Sequence, residues 1–368
     1  MATDLSELLS RHVESGTMPG AVATCGHDYE PVAVGTDAPG GSPLRTDAIF
    51  RIQSMTKIVT SVAALRLVQD GVLGLDDPVA EWMPELAEPR VLSSPDAELE
   101  DTVPASRPIT LRHLLTNRSG YGMMTTDSPL KRAMVASRVE PGNEPLELGA
   151  QEWLEALAAL PVAFQPGDGW RYHVSFGVLG ILLGRLTGER TQDVLRRTVL
   201  DPAGMPDTGF AVPREQAHRL LPAYRRTEHG LEQIEPAGAG FYADPPPFDV
   251  SHSELVSTLA DFHAFLRALL DGDLLGPELL GELRRDQVPD SVKTPESFFP
   301  GFWEGNGWGY GVSVVTDGPH RGRFGWSGGM GTDFFADPDG TICILMTQVE
   351  MDEQIFALLG ELQELGGP

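Results

Sequence analysis

The chain has 368 residues, 41% of them hydrophobic and 22% charged, with a formal net charge of −26. That length supports a substantial core, as one large or two interleaved domains, and a field of that sign excludes nucleic acid and anionic membrane surfaces as partners. The opening MATDLSELLSRHVESG has no basic start and no apolar core, and no apolar run is long enough to cross a bilayer, so a cytoplasmic protein without an export signal is expected. In chain order, GAVATCG (20–26) and EPVAVG (30–35) read as short strands around a polar turn. KIVTSVAALRLVQDG (57–71) is apolar on nearly every side, which predicts a buried helix stopped at Gly71. TLRHLLTN, AQEWLEALAAL, SFGVLGILLGRLTG and STLADFHAFLRALLDG are further helices. GYGVSVVT, RFGWS, TDFFAD and TICILMTQ are strands punctuated by the turn signals TDGP and DPDG, and a closing helix follows over roughly 352–365. Cys25 and Cys343 lie in strand-like runs and read as small core residues rather than a disulfide framework. Pro-rich loops at 84–108, 235–247 and 289–300 are too long for plain connectors, and loops of that length often line sites.

Strands at both chain ends and helices between them predict an α/β (α+β) fold. One antiparallel sheet is built from the two termini and flanked by helices, with a large, mainly helical part against it. The expected division is a single catalytic unit over 1–368, with a sheet subdomain at about 1–55 and 300–368 and a helical subdomain at about 56–299.

Gly325-Trp326-Ser327-Gly328-Gly329 fits Gly-x-Ser-x-Gly, the nucleophile elbow of one class of serine hydrolases. That elbow needs a later histidine, and none of the nine histidines follows Ser327. It also needs a helix after the turn, whereas GGMGTDFFADPDG reads as another strand. Ser327 is therefore not read as a nucleophile.

Ser54 and Lys57 form a different candidate. Three residues apart on a helix, they share one face. The start of a buried helix offers free N–H groups and a positive dipole end for developing negative charge. The same environment drives a lysine towards its neutral form, which can take a serine proton. The plainer alternative is an N-cap serine and a surface cation, but Lys57 opens an otherwise apolar helix. A second Ser-x-x-Lys, Ser128 to Lys131, reads as an N-cap followed by Pro129 and a solvated face. Acyl chemistry also needs a second proton carrier and an oxyanion donor. Tyr172, just before an apolar helix, is the candidate carrier, and backbone of the WSGG strand is the candidate donor.

These pieces, in this order, resemble the penicillin-recognising serine hydrolase superfamily and its class C β-lactamase-like branch, over about residues 5–365. The resemblance rests on FRIQSMTKIVTSVAALRLVQDGVLGLDDPV, ITLRHLLTNRSGYG, PGDGWRYHVSFGVLGILLGRLTG and FGWSGGMGTDFFADPDG. It implies Ser54 as acylated nucleophile, Lys57 as its base partner, Tyr172 sharing proton transfer, and the N–H groups of Ser54 and Gly329 as oxyanion hole. It implies a β-lactamase/transpeptidase-like fold with the site between the two parts, and no metal or other cofactor. Two departures stand out. Val174 occupies the place of the usual Asn of a Tyr-x-Asn motif, and Trp326 that of the usual Lys or His. Penicillin-type substrates carry an amide and a carboxylate that those groups would meet. Trp at that position is similar to family VIII carboxylesterases and related acyltransferases.

The expectation is thus a serine esterase acting on a small, fairly apolar ester through an acyl-Ser54 intermediate. Acyl transfer to an amine or alcohol is the first alternative, and β-lactamase or D-amino-acid peptidase activity the second. Tyr121, Trp326, His173, Val174 and Ser327 are the expected substrate-binding positions, with Phe241, Tyr242 and Tyr310 as further aromatics near the motifs. His173 is read as a neighbour packed beside the cleft, with partial replacement of the Asn as the alternative. The expected partner is a small-molecule ester or acyl substrate, with no nucleic acid and no membrane; the oligomeric state is not legible.

Overall fold

A computed structural model describes every residue except 1, 141, 143–145, 239 and 366–368. Its centre is a seven-stranded sheet made of β1 (Gly20–Gly26), β2 (Val32–Gly35), β3 (Asn306–Trp308), β4 (Ser313–Val315), β5 (Phe324–Gly328), β6 (Thr332–Ala336) and β7 (Ile342–Met346). The order across the sheet is β2-β1-β7-β6-β5-β4-β3, and every neighbouring pair is antiparallel. The first two strands come from the start of the chain and the other five from its end, so β1 and β7 close the sheet between the termini.

Alternation along the strands divides the core in two. Phe335, Cys343 and Leu345 face α1 (Ala2–Glu14) and α6 (Glu353–Leu365), meeting Leu5, Leu9, Ile355 and Leu358. Phe334, Ile342 and Ile344 face the opposite way, into the main core with α5 (Leu259–Leu270). There Phe262 and Phe334 have ring centroids 5.1 Å apart. Both faces are covered, so the central strands read as continuous apolar runs rather than alternating ones.

Between the sheet strands the chain is mostly helical. α2 (Thr56–Gln69) is buried at all but three positions and packs against α4 (Val174–Thr187), which is buried from Val174 to Leu183. α3 (Ala150–Ala158) buries Trp153, Leu154 and Leu157. Gly71, at φ +71°, follows the end of α2 and supplies the left-handed stop that the sequence predicts. Ser128 caps the helix Pro129–Ala136, its hydroxyl accepting from the Lys131 N–H at 3.1 Å.

Three features differ from the sequence reading. Among the described residues the middle of the chain holds three small two-stranded ribbons, pairing 50–51 with 256–257, 90–92 with 102–104, and 223–227 with 230–235. The two cysteines are not merely core residues: Cys25 and Cys343 are register partners across β1 and β7, and a disulfide joins them. Long-range register decides that pairing, and local strand propensity carries no trace of it. Ser54 lies not in α2 itself but in a 3₁₀ turn, Gln53–Met55, that leads into it. No helix among the described residues is long and apolar enough to cross a membrane.

Candidate active site

The Ser54 turn is held from three sides. The Ile52 N–H donates to the Leu255 carbonyl at 3.1 Å. The Thr332 hydroxyl donates to the Ile52 carbonyl at 3.2 Å. Gly328, at the end of β5, sits so close to that carbonyl that a Cβ would overlap it and the Thr332 hydroxyl. A glycine is therefore required where the sheet meets the turn. Within the turn Gln53 has φ +47°, a conformation L-residues adopt only under constraint.

Lys57, in the first turn of α2, is completely buried. Its Nζ lies 3.0 Å from Ser54 Oγ, donates to the His252 carbonyl at 2.6 Å, and stands 3.5 Å from His173 Nδ1. It also lies 4.4 Å from the centroid of the Tyr172 ring. Among the described residues no carboxylate forms an ion pair with it. Burial without a counter-charge pushes the lysine well below its ordinary pKa. The amine is thereby favoured in its neutral form, able to accept a proton from the adjacent hydroxyl.

The segment after residue 250 runs along α2 and fixes this arrangement. The Thr60 hydroxyl donates to the Ser251 carbonyl at 3.0 Å, and the Leu255 N–H donates to Thr56 Oγ1 at 3.1 Å. The His252 carbonyl between them is thus aimed at Lys57. His252 also faces His173, ring centroids 4.0 Å apart. Burial is the main cause that keeps both imidazoles well below their ordinary pKa, and the neighbouring Lys57 adds to it. His173 has φ +90°, so strained backbone adjoins Tyr172 as it adjoins Ser54.

Tyr172 stands on the other side of the serine. Its carbonyl accepts from the Met123 N–H at 2.8 Å, and its ring packs among Phe298, Trp308 and Trp326. Burial raises the phenol pKa; hydrogen bonding with Ser54 and Trp326 pulls it the other way. The Trp326 indole donates to the phenol oxygen at 2.5 Å. Gly329 follows β5 beside Ser54, and its carbonyl accepts from the Met351 N–H at 2.9 Å.

A cavity of about 560 Å³ opens at Ser54 and continues past β5 to Ser327, Asp333 and Gln363. Tyr172, Phe298, Phe299, Phe302 and Trp326 give it an aromatic wall, with Met123 beside them. Such a volume suits a small, mostly apolar ligand. Among the described residues no cluster of three or more His, Cys, Asp or Glu side chains could hold a metal ion.

The structure brings together Ser54, Lys57, Tyr172, His173, Trp326 and Gly329. Val174 opens α4 just beyond them, buried and turned towards a small cavity shared with His252 and Glu254. Of the remaining expected substrate-binding residues, Tyr121 is not brought in, and Ser327 borders the Ser54 cavity only from the far face of β5. Tyr121 is buried in the main core and borders a separate pocket of about 10 Å³ with Leu130 and Met134. The Ser-Gly turn before it faces its tyrosine inward, because the Ser119 hydroxyl hydrogen-bonds Ser175 at 2.8 Å and accepts from the Tyr121 N–H at 3.2 Å. Ser327 alternates with Trp326 along β5, so its side chain lies on the opposite sheet face. There its hydroxyl donates to Asp333 at 2.7 Å, and Gln363 of α6 donates to the same carboxylate. Tyr310 is likewise a core residue, its hydroxyl accepting from Arg112 at 2.7 Å. The sequence reading missed Phe298, Phe302, Trp308 and the His252 carbonyl. The one available signal was the length of the 289–300 loop, which carries Phe298 and Phe299.

Residues 5–355 match the family model described as Beta-lactamase. Protein Rv1367c of Mycobacterium tuberculosis is 37% identical over 84% of this chain and 79% of its own length. Esterase EstB of Burkholderia gladioli is 31% identical over 82% of this chain and 77% of its own. Among solved structures, EstCE1, described as a hydrolase with promiscuous acyltransferase activity, superposes with a TM-score of 0.82. It covers 98% of both chains at 23% identity.

Proposed function

The chain belongs to the beta-lactamase family, and from that membership we propose that it is a serine hydrolase cleaving small, fairly apolar carboxylic esters through an acyl-Ser54 intermediate. The observation that carries the reading is Lys57 Nζ, wholly buried and 3.0 Å from Ser54 Oγ. Ser54 Oγ attacks the ester carbonyl while Lys57 takes its proton. The oxyanion rests on the N–H groups of Ser54 and Gly329. Tyr172 relays the proton to the departing alkoxide, which leaves as the alcohol. Water then attacks the acyl-serine, releasing the acid and restoring the Ser54 hydroxyl.

Trp326 and Val174 support an ester over a penicillin-type substrate. Neither offers a cation for a carboxylate nor a carboxamide for an amide, and the aromatic wall favours an apolar acyl group. The esterase name of the Burkholderia relative agrees. Acyl transfer is the second reading, favoured by the description of EstCE1; it differs only in that an alcohol or amine, rather than water, takes the acyl group. Mass spectrometry after exposure to p-nitrophenyl esters tests the proposal. An acyl adduct on the peptide carrying Ser54, absent from Ser54→Ala, is expected. An adduct that persists in Ser54→Ala and disappears in Ser327→Ala overturns it.

A further inference from the structure

Lys57 has more partners than proton transfer from Ser54 requires. Among the described residues its Nζ has three polar neighbours: Ser54 Oγ at 3.0 Å, the His252 carbonyl at 2.6 Å and His173 Nδ1 at 3.5 Å. An amine nitrogen bonded to one carbon has three directions left, so each neighbour takes one. The neutral amine fills those directions with two N–H bonds and one lone pair.

The His252 carbonyl can only accept, so it takes one N–H. For Lys57 to draw a proton from Ser54, the lone pair must face Oγ. The second N–H is then left to His173, whose Nδ1 must carry no hydrogen. A hydrogen on Nδ1 would point at the lone pair and compete with the serine for it. The ring must therefore hold its hydrogen on Nε2. Nε2 is buried without a hydrogen-bond partner, which is so in either tautomer, and the choice falls to Nδ1.

The fold keeps the imidazole in that place and state. His173 is buried, its ring centroid 5.4 Å from that of Tyr172 and 4.0 Å from that of His252. Among the described residues no carboxylate forms an ion pair with it. Burial keeps the ring neutral, and His252 and Lys57 add to that. Its φ of +90° is strained for any residue but glycine and persists only where the surroundings impose it.

We propose that His173 is a positioning residue of the acylation step: its Nδ1 accepts the second Lys57 N–H and so turns the lone pair of the amine towards Ser54 Oγ. This rests on the acyl-Ser54 reading. As the bond from Oγ to the carbonyl carbon forms, the Oγ–H bond breaks and its proton joins the lone pair. The ammonium then has three N–H groups, directed at Oγ, the His252 carbonyl and His173 Nδ1, until one proton passes through Tyr172 to the departing alkoxide. His173 accepts throughout and takes no proton itself. Its contact is the loosest of the three, and catalytic hydrogen bonds often tighten only once substrate is bound.

Two variants test this. His173→Phe keeps an aromatic ring and removes the acceptor. On p-nitrophenyl butanoate its kcat should fall at least about tenfold, with KM within about twofold of the parent. His173→Gly suits the +90° backbone, and because His173 borders the Ser54 cavity it leaves a gap that a free ring can enter. Added imidazole should raise its kcat at least about fivefold and saturably. Pyrrole, a ring of the same size without an acceptor nitrogen, should not. Rates are read against a double variant carrying His173→Gly and Ser54→Ala, which removes the ester cleavage that imidazole performs alone. A cooperative melting transition identifies folded preparations. Parent-like kcat in folded His173→Phe, equal rescue by the two rings, or no rescue by either overturns the positioning role alone. If His173→Phe does not fold, the two rings added to His173→Gly decide. No acyl adduct on Ser54 in the parent overturns the acyl-serine reading and this role with it.

Discussion

The Trp326 indole N–H points at the Tyr172 phenol oxygen, 2.5 Å away. The residue that departs from the family's usual cation is therefore tied to the proposed proton carrier. An indole donor stabilises a phenolate-like oxygen without adding a positive charge to the cleft. It also fixes the ring, which Trp308 and Phe298 pack from other sides. Trp326→Phe keeps the apolar wall and removes the donor. We expect kcat on p-nitrophenyl butanoate to fall about 10- to 100-fold with KM nearly unchanged, the signature of an interaction made mainly in the transition state. A rise in KM with kcat intact would make Trp326 only a wall of the acyl pocket.

Lys57 carries the second prediction. Burial holds its pKa well below the ordinary lysine value. In the proposed mechanism the neutral amine is the active form, so activity should rise with pH as Lys57 loses its proton, and the plateau should be reached well below pH 10.5. Lys57→Arg keeps a cation that no accessible pH discharges. It should lose about 10³-fold or more in kcat/KM and show no recovery at alkaline pH. Substantial activity in Lys57→Arg would show that Lys57 serves as a charge rather than a base.

Gly328 separates positioning from chemistry. A methyl group there overlaps the Ile52 carbonyl and the Thr332 hydroxyl, which clamp the Ser54 turn to the sheet. Gly328→Ala should destabilise the fold by about 1–3 kcal/mol through overpacking. Its burst rate on p-nitrophenyl butanoate should fall by more than that loss of folded population explains. Chemical denaturation and pre-steady-state kinetics on the same sample read the two effects. Equal burst rates in folded Gly328→Ala and the parent would show that the turn holds its geometry without this contact.

How much of this was legible follows the range of the interactions. Ser54 and Lys57 could be paired from spacing alone, because one helical turn brings them together. The sheet could be expected from strand runs at both chain ends. The disulfide between Cys25 and Cys343 could not, since it depends on the register of strands 318 residues apart in sequence. Nor could the His252 carbonyl at Lys57, which a loop delivers from 195 residues away. Ser327 borders the same cavity as Ser54, but a period of two sets its side chain on the face of β5 opposite Trp326, where it bonds Asp333. Tyr121 was different, because a Ser-Gly turn leaves the direction of the next aromatic open. The loop at 289–300 announced itself by length and borders the cavity at Ser54, while that at 235–247 borders a separate cavity through Phe241 and Tyr242. The stretch 84–108 instead folds partly into the ribbon of 90–92 with 102–104.

Glu254 makes stability depend on pH in a definite direction. Burial raises its carboxyl from the ordinary 4.5 to about 8 in the folded chain. Below pH 4.5 it is protonated in both states and contributes nothing to the difference. Between 4.5 and 8 the unfolded chain releases the proton while the folded chain retains it, so the fold loses stability as pH rises. Above 8 the loss is complete, on the order of 5 kcal/mol for a shift of this size in a largely buried group. Glu254→Gln carries no such proton. Its melting temperature relative to the parent should therefore climb by several degrees between pH 5 and pH 9 and level off beyond. A difference in melting temperature that stays constant across that range would mean the carboxyl ionises in place, with water or a neighbouring group supporting its charge.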